Sequence, residues 1–246
     1  MASILAVKNL YKSFGGLEAV KDVSFELEKG QLLAMIGPNG AGKSTCFNLI
    51  NGQLRPDHGR IIIMGKEING SKPRDVWKLG VGRTFQITST FASMTVLENV
   101  QMARLSYHRR TNSLLRKVSQ LYVDESLDLL KRVGIEDQAG RTCGVLAYGD
   151  LKRVELAVAL ANKPRLLLMD EPTAGMGPAQ RKTLMELTRN IVRTRNIGVL
   201  FTEHDMDVVF NHADRIIVLS RGELMAEGTP AEVQENAKVK EIYLGT

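Results

Sequence analysis

The sequence predicts an α/β fold with a parallel-sheet core, and three features of the 246-residue chain carry that prediction. Apolar runs without alternation, such as QLLAMIG and RLLLMD, are typical of strands buried on both faces. Strand-like and helix-like segments alternate in the last third, as they do in βαβ units. One apolar run leads into a glycine-rich loop and then a helix-like segment. We expect one domain spanning residues 1–246.

The composition limits the class of protein. A hydrophobic fraction of 43% is ordinary for a globular domain. The longest apolar runs fall short of the roughly 20 residues that span a bilayer, and the start, MASILAVKNLYKSF, lacks the features of a signal peptide. We therefore expect a cytosolic chain that does not itself enter a membrane. The two cysteines, Cys46 and Cys143, predict neither a disulfide framework nor a zinc site.

The charge balance points to an anionic partner. The net charge is +6, which suits a nucleotide, a nucleic acid or an acidic lipid surface. The densest basic patch, YHRRTNSLLRKVS at residues 107–119, is interpreted as a solvated helix face. The aromatic fraction of 5% does not indicate stacking platforms for single-stranded nucleic acid, so no nucleic-acid partner is expected.

The first third of the chain reads as strands. The segment EAVKDVSFELEKG alternates apolar and polar residues and turns at Gly30, which predicts a half-buried strand. QLLAMIG follows as a strand buried on both faces, and GRIIIMGKEI is a further strand with glycines at its ends.

The middle of the chain changes to helical spacing. From Val96 to Gly134 no strand pattern is convincing, and LYVDESLDLLKRVGI places its leucines near one helix face. Gly134 is a plausible stop just past the end of that helix. We expect residues 96–163 to form a helical subdomain inserted into the α/β core.

The last third alternates between strands and helices. RLLLMD, IGVLFTEH and DRIIVLS predict strands, and PAQRKTLMELTRNIVRT and MDVVFNHA predict the helices between them. Parallel strands need such crossovers, so these segments predict a parallel sheet covered by helices.

The segment GPNGAGKST matches the phosphate-loop pattern G-x-x-x-x-G-K-[ST] and lies between a predicted strand and a predicted helix. Glycines allow backbone N–H groups to surround phosphate oxygens, and a helix N-terminus adds a positive dipole. The pattern predicts a P-loop NTPase in which Lys43 reaches the β- and γ-phosphates and Ser44 offers a hydroxyl to Mg²⁺. The alternative is a glycine-rich turn with a chance lysine, which the flanking elements disfavour. The predicted nucleotide ligands here are Gly37, Pro38, Asn39, Gly40, Ala41, Gly42, Lys43, Ser44 and Thr45.

Two further strands end in side chains suited to hydrolysis of a nucleotide. Asp170 and Glu171 follow RLLLM, at the sheet edge where ligands bind in open α/β sheets. Asp170 is a candidate Mg²⁺ ligand, as is Ser44, and Glu171 could orient and polarise the attacking water or act as its base. His204 ends IGVLFTEH, and Gln86 follows the short strand in GRTFQITSTF. A histidine alone is more often structural, and the Gln86 signal alone is weak.

A second helix start raises the question of a second phosphate contact. VLAYGDLKRVELAVALA, residues 145–161, has a glycine ahead of an apolar helix-like run. Such a helix N-terminus can also receive a phosphate.

Together these residues resemble the ATPase subunit of ABC transporters along nearly the whole chain. The resemblance implies that Phe14 stacks on adenine, although Tyr11 is a nearby competitor and a core phenylalanine is the alternative. It identifies Gln86 with the Q-loop, which can reach Mg²⁺ or water, and His204 with the switch histidine. The motif residues are the Walker B pair Asp170 and Glu171, and the signature residues Leu146, Ala147, Tyr148, Gly149 and Asp150.

The family resemblance also implies an assembly. Two ATPase subunits, identical or different, pack head to tail, and each signature closes over the nucleotide of the other. An antiparallel β subdomain, membrane permease subunits and a solute-binding protein belong to the same expectation, with the chain on the cytoplasmic face of the membrane. The segments RTFQ, AGMGP and VKEIYLGT are similar to ATPases of branched-chain amino acid importers; importers for urea or amides look similar.

Three positions depart from the family pattern, and three rival functions are considered. Ala147 replaces the usual signature serine, Tyr148 replaces a glycine, and Gly177 stands where many relatives carry aspartate or asparagine. The rivals are a non-transport ABC protein acting on DNA or the ribosome, a P-loop kinase for a small molecule, and a regulatory nucleotide-binding module. The first typically has long insertions or two fused cassettes; ATPase activity without an acceptor would argue against the other two.

Overall fold

The computed structural model describes residues 3–84, 90–108 and 121–244. The strands in these ranges are β1 (Ser3–Phe14), β2 (Leu17–Glu28), β3 (Leu32–Ile36), β4 (His58–Ile63), β5 (Lys66–Glu67), β6 (Val81–Thr84), β7 (Leu166–Asp170), β8 (Gly198–Thr202), β9 (Arg215–Ser220) and β10 (Glu223–Gly228). The α-helices are α1 (Lys43–Ile50), α2 (Pro73–Lys78), α3 (Val96–Tyr107), α4 (Val123–Arg132), α5 (Tyr148–Leu160), α6 (Pro178–Arg195), α7 (Met206–His212), α8 (Pro230–Glu235) and α9 (Ala237–Leu244).

The strands form two sheets of different type. A four-stranded antiparallel sheet has the order β2-β1-β4-β5. A six-stranded sheet has the order β10-β9-β3-β8-β7-β6, and its strands are parallel except for the antiparallel edge strand β10. The predicted α/β class with a parallel core and an antiparallel sheet is confirmed. The antiparallel edge strand β10 was not predicted.

The parallel sheet separates two hydrophobic cores. Side chains alternate across a strand, so Leu32, Ala34 and Ile36 of β3 enter the core shared with α3–α7. Leu33 and Met35 enter the core shared with α1 and the antiparallel sheet. All five residues are fully buried, which explains why β3 reads as an unbroken apolar run.

Among the described residues, three α-helices lie between β6 and β7 in the chain and pack on one another. α3 starts with a capping box in which Thr95 accepts from the Glu98 N–H and Glu98 accepts from the Thr95 N–H. α4 is capped at Val133, and Gly134 follows with a left-handed φ of 68°, so the predicted stop is confirmed. Of the basic patch at 107–119, residues 109–119 lie outside the described ranges.

Both cysteines are buried free thiols. Cys46 lies in α1 directly after the phosphate loop, and Cys143 lies four residues before Ala147. Neither is part of a disulfide in the described structure, as the sequence predicts.

Candidate active site

The phosphate loop approaches its neighbours so closely that it needs glycine at two positions. Gly37 and Gly42 have φ values of 154° and 102°. A Cβ atom on Gly37 would lie 2.2 Å from the Leu219 carbonyl oxygen, and one on Gly42 would lie 2.4 Å from that of Ala19. The loop is therefore held between the β1–β2 hairpin and the β9–β10 hairpin, and any side chain there would displace backbone.

Lys43 crosses the loop that contains it. Its Nζ donates to the Gly37 carbonyl oxygen at 2.6 Å and to that of Pro38 at 3.0 Å. Burial lowers the pKa of Lys43, while the negative charges of Glu171 and Asp170 act to raise it. The ammonium group thus donates to neutral carbonyls and lies close to two carboxylates. It is suited to donate instead to a phosphate, which is a stronger partner than a carbonyl.

The first turn of α1 has the features of an anion site. Gly42 is its N-cap in the left-handed region, and no acidic residue occupies the first turn. Helix N-terminal N–H groups lack intrahelical partners and carry a partial positive charge. Ser44 and Thr45 add hydroxyl groups at the same place, and both line the adjacent cavity.

One cavity of about 660 Å³ joins most of the predicted site. Its volume falls in the range of roughly 300–1,000 Å³ found for small-molecule sites. Phe14 stands at this cavity with 46% of its surface exposed, and the Lys12 Nζ lies 5.4 Å from the centre of its ring. The lining residues are Phe14, Leu17, Glu18, Ala19, Asn39, Gly40, Ala41, Gly42, Lys43, Ser44, Thr45, Glu171, His204 and Arg221.

Asp170 is the last residue of β7 and is fixed by the neighbouring strand. It pairs in register with Thr202 of β8, whose Oγ1 donates to Asp170 Oδ1 at 2.8 Å. Arg83 Nη2 lies 3.6 Å from the other carboxylate oxygen. A carboxylate here and the exposed Ser44 hydroxyl are the oxygen donors that Mg²⁺ prefers, and Mg²⁺ usually takes few protein ligands beside substrate phosphates. The residues therefore fit the predicted ion.

Glu171 and His204 form a side-chain pair at the cavity. The distance between His204 Nε2 and Glu171 Oε1 is 2.9 Å. Glu171 adopts a left-handed φ of 46°, which is uncommon for a residue with a side chain. Its N–H donates to Thr202, to the carbonyl oxygen at 3.2 Å and to Oγ1 at 3.1 Å. The carboxylate of Glu171 and the imidazole of His204 thus lie at the same cavity as the phosphate loop.

The loop after Glu171 is fastened to the segment of His204 by a buried acid. Glu203 Oε1 accepts from the Thr173 N–H at 2.9 Å and from its Oγ1 at 2.6 Å. Glu203 Oε2 accepts from the His204 N–H at 3.2 Å. Two strand-end loops that carry site residues therefore share one carboxylate.

The signature segment does not line this cavity in the described structure. Ala147 is the N-cap of α5, and α5 has no side-chain cap among the described residues. A Cβ on Gly149 would lie 3.2 Å from Gln180 Nε2, and one on Gly175 would lie 3.2 Å from the Tyr148 ring. The segment instead packs against the loop that follows Glu171 and against the start of α6.

The structure brings together Phe14, Asn39–Thr45, Glu171 and His204 around the cavity, with Asp170 beside them. Gly37 and Pro38 contribute carbonyl groups to Lys43. Gln86 lies outside the described residues.

Sequence reasoning missed Thr202, Arg83 and Glu203. Thr202 and Glu203 close the same apolar run that ends in His204, so their position at the end of β8 is the available signal. Arg83 lies on β6, and its Nη1 also donates to Gln53 Oε1 at 2.7 Å. No sequence pattern marks that contact.

In the described ranges, no helix has both the length and the apolar character needed to cross a bilayer.

Comparison with known proteins gives consistent results. The sequence profile of the family described as ABC transporter matches residues 20–174. The profile described as Branched-chain amino acid ATP-binding cassette transporter matches residues 223–246. The chain is 37% identical over 252 residues to the High-affinity branched-chain amino acid transport ATP-binding protein LivG of Salmonella typhimurium, covering 98% of each chain.

Solved structures show the same fold. The ADP conformation of MJ1267, an ATP-binding cassette of an ABC transporter, superimposes with a TM-score of 0.89 at 31% identity over 100% of both chains. The dimeric post-hydrolysis state of the cassette MJ0796, bound to ADP and Pi, gives a TM-score of 0.77 at 27% identity and covers 92% of this chain and 98% of that one.

Proposed function

Since the chain belongs to the ABC transporter family, we propose that its ATPase activity energises an importer of branched-chain amino acids. One observation carries the catalytic part of this proposal: a single cavity joins the phosphate loop, Phe14 and the Glu171–His204 pair. The match at residues 223–246 and the similarity to LivG support the choice of solute. Urea and amides are the alternative solutes.

We assign the phosphate-binding roles to the loop and its helix. Lys43 exchanges its carbonyl partners for the β- and γ-phosphates, while loop N–H groups and the α1 N-terminus bind the remaining oxygens. Phe14 stacks on adenine at the far side of the cavity. Ser44 and Asp170 would hold Mg²⁺, which neutralises phosphate charge when bound.

Glu171 and His204 carry the hydrolytic roles. Water attacks the γ-phosphorus in line, so the protein contributes mainly positioning and charge stabilisation. Glu171 polarises that water or accepts its proton, and His204, which pairs with Glu171, orients the carboxylate and can contact the γ-phosphate. Gln86 is proposed to reach Mg²⁺ or the water, on family resemblance alone.

A complete site is proposed to need two chains. Ala147, Tyr148 and Gly149 lie outside the cavity of their own chain, so their helix N-terminus is available for the nucleotide of a second ATPase subunit. The dimeric structure of MJ0796 bound to ADP and Pi supports the pairing of two cassettes. Residues 96–163, which contain α3–α5, are proposed as the helical subdomain that carries the signature.

The remaining partners follow from the transport role. The chain is proposed to bind permease subunits at the cytoplasmic face of the cell membrane, as a peripheral protein. A solute-binding protein is proposed to act through the assembled importer. ATP hydrolysis opens the closed dimer and resets the permease.

The deciding experiment is purification of the tagged chain from detergent-solubilised membranes of its native cells. We expect integral membrane subunits to copurify, and uptake of labelled leucine to stop when the gene is deleted and return with the wild-type gene but not with Lys43→Ala. Loss of urea or amide uptake with normal leucine uptake would reassign the solute. Recovery of soluble partners alone would argue against transport.

A further inference from the structure

Glu203 is a buried carboxylate to which the roles proposed above assign no function. It lies between β8 and α7 and is 3% exposed. Removing a carboxylate from water is costly unless it is hydrogen-bonded, and Glu203 accepts three hydrogen bonds. The donors lie on two different segments, because two belong to Thr173 and the third is the N–H of His204.

These hydrogen bonds connect the two members of the catalytic pair. Thr173 lies two residues after Glu171, so the carboxylate of Glu203 holds the loop that Glu171 begins. The same carboxylate holds the backbone of His204, whose Nε2 lies 2.9 Å from Glu171 Oε1. Covalent and hydrogen bonds therefore connect Glu171 to His204 through Thr173 and Glu203. The contact between the two side chains of the pair closes this path into a ring.

The backbone conformation of Glu171 indicates why these hydrogen bonds matter. Glu171 has a left-handed φ of 46°, and such conformations persist where the surroundings hold them. Thr202 fixes the N–H of Glu171 from one side. Glu203 fixes the following residues from the other, so the loop cannot relax without breaking hydrogen bonds to a buried charge.

We infer that Glu203 is a positioning residue for ATP hydrolysis, which acts by holding the Glu171–His204 pair in place. This inference rests on the hydrolytic roles proposed above. It predicts a loss in turnover with nucleotide binding preserved, because Glu203 does not line the cavity that receives the nucleotide. A purely structural acid would lower stability and leave turnover of the folded protein unchanged.

The test is Glu203→Gln in the full chain. Glutamine keeps the volume and can still accept from Thr173 through its carbonyl, but its amide group cannot accept from the His204 N–H. We expect kcat to fall about tenfold or more, since small misplacements of catalytic groups have effects of this size. We expect the Kd for ATP to stay within about twofold. In the nucleotide-free protein, amide hydrogen exchange at His204 should become faster.

A double-mutant cycle separates positioning from general damage. Because Glu203→Gln keeps the contacts with Thr173 and loses the one with the His204 N–H, adding it to His204→Ala should lower kcat by less than about twofold more. Thr173→Val removes one donor on the other segment and should reproduce part of the loss. Thr188→Val is the matched control, since it removes a buried hydroxyl that donates to Leu184 within α6 and should leave kcat unchanged.

Wild-type kcat in folded Glu203→Gln, or a full additional loss in the His204→Ala background, would overturn the inference. Failure of the proposed function is recognised separately, because wild-type protein would then bind or hydrolyse no ATP, alone or with its membrane partners.

Discussion

The N-termini of α1 and α5 are both proposed to bind phosphate, yet their surroundings differ. α1 begins inside a cavity that its own chain builds from a glycine loop, two hairpins and the ends of β7 and β8. α5 begins near exposed apolar residues, with Val145 63% exposed and Tyr148 39% exposed, and none of its described residues lines that cavity. One start therefore belongs to a formed site, and the other lies on an outer surface.

The difference shows which contacts define each half of the site. The α1 half is defined by contacts within the chain, such as the approach of Gly42 to Ala19, so one molecule fixes it. The α5 half has only a local surface in this chain. A Cβ on Gly149 would lie 3.2 Å from Gln180 Nε2, so Gln180 packs against the first turn of α5. The proposed role of the α5 half requires a second chain.

The largest expected effect is at the formed half. Lys43→Ala removes the ammonium that would bind phosphates, so ATP affinity should fall about a hundredfold or more and hydrolysis should stop. Isothermal titration calorimetry and phosphate release measure the two losses, with circular dichroism to confirm the fold. Lys29→Ala, at an exposed lysine in the turn before β3, is the control and should behave as wild type. Normal hydrolysis in folded Lys43→Ala would contradict the assigned role.

The second prediction tests whether the two halves come from different chains. Gly149→Asp places a negative charge at the start of α5, where it should repel the phosphates of a partner's nucleotide. Homodimers of Gly149→Asp and of Lys43→Ala should both be inactive. In the mixed dimer one site combines an intact loop with an intact signature, so mixing the two proteins should restore some ATP hydrolysis, with permease subunits present if pairing needs them.

Gly149→Ala is the matched control for that experiment, because it adds the Cβ without the charge. Differently tagged copies verify that mixed dimers form. If they form and the mixture never exceeds its parents, or if Gly149→Asp alone is fully active, the shared site is refuted.

A smaller effect is expected at the edge of the formed cavity. Phe14→Ala should weaken ATP binding by about 1–3 kcal/mol if stacking on a nucleic-acid base is a fair guide. Leu17→Ala removes an exposed apolar side chain from the same cavity and should weaken binding less. Titrations of both variants provide the comparison. A loss of thermal stability with unchanged ATP affinity would instead identify Phe14 as a packing residue.

The smallest effect concerns the cap of α5. Ala147 has the extended conformation of an N-cap but no side-chain oxygen. Ala147→Ser should therefore raise the free energy of unfolding by about 0.5–1 kcal/mol, measured by urea titration. Gly177→Asn at the N-cap of α6 should gain only a few tenths of a kcal/mol, because glycine is already a fair cap. Equal gains at both sites would argue against capping as the cause.

The same contrast explains what the sequence could predict. The phosphate loop and the strand ends follow from local patterns, since an apolar run buried on both faces delivers Asp170 and His204 to one sheet edge. The contacts of Glu203 with Thr173 and of Arg83 with Asp170 join residues 30 and 87 positions apart, and residue patterns do not encode such distances. The edge strand β10 was also not predicted from the sequence, because its pairing with β9 depends on a tight turn at Arg221 and Gly222.

The two buried cysteines allow local opening of both regions to be measured by thiol labelling. Burial raises the pKa of Cys46 in α1 to about 12, and it also raises the pKa of Cys143, ahead of α5. The thiolate is the reactive form, so at neutral pH alkylating reagents must wait for each region to open locally. Cys46 labelling therefore times the opening of the phosphate-loop helix, and Cys143 labelling times that of the segment before α5. ATP alone should slow the first reaction, and slowing of the second should require the pairing of two chains.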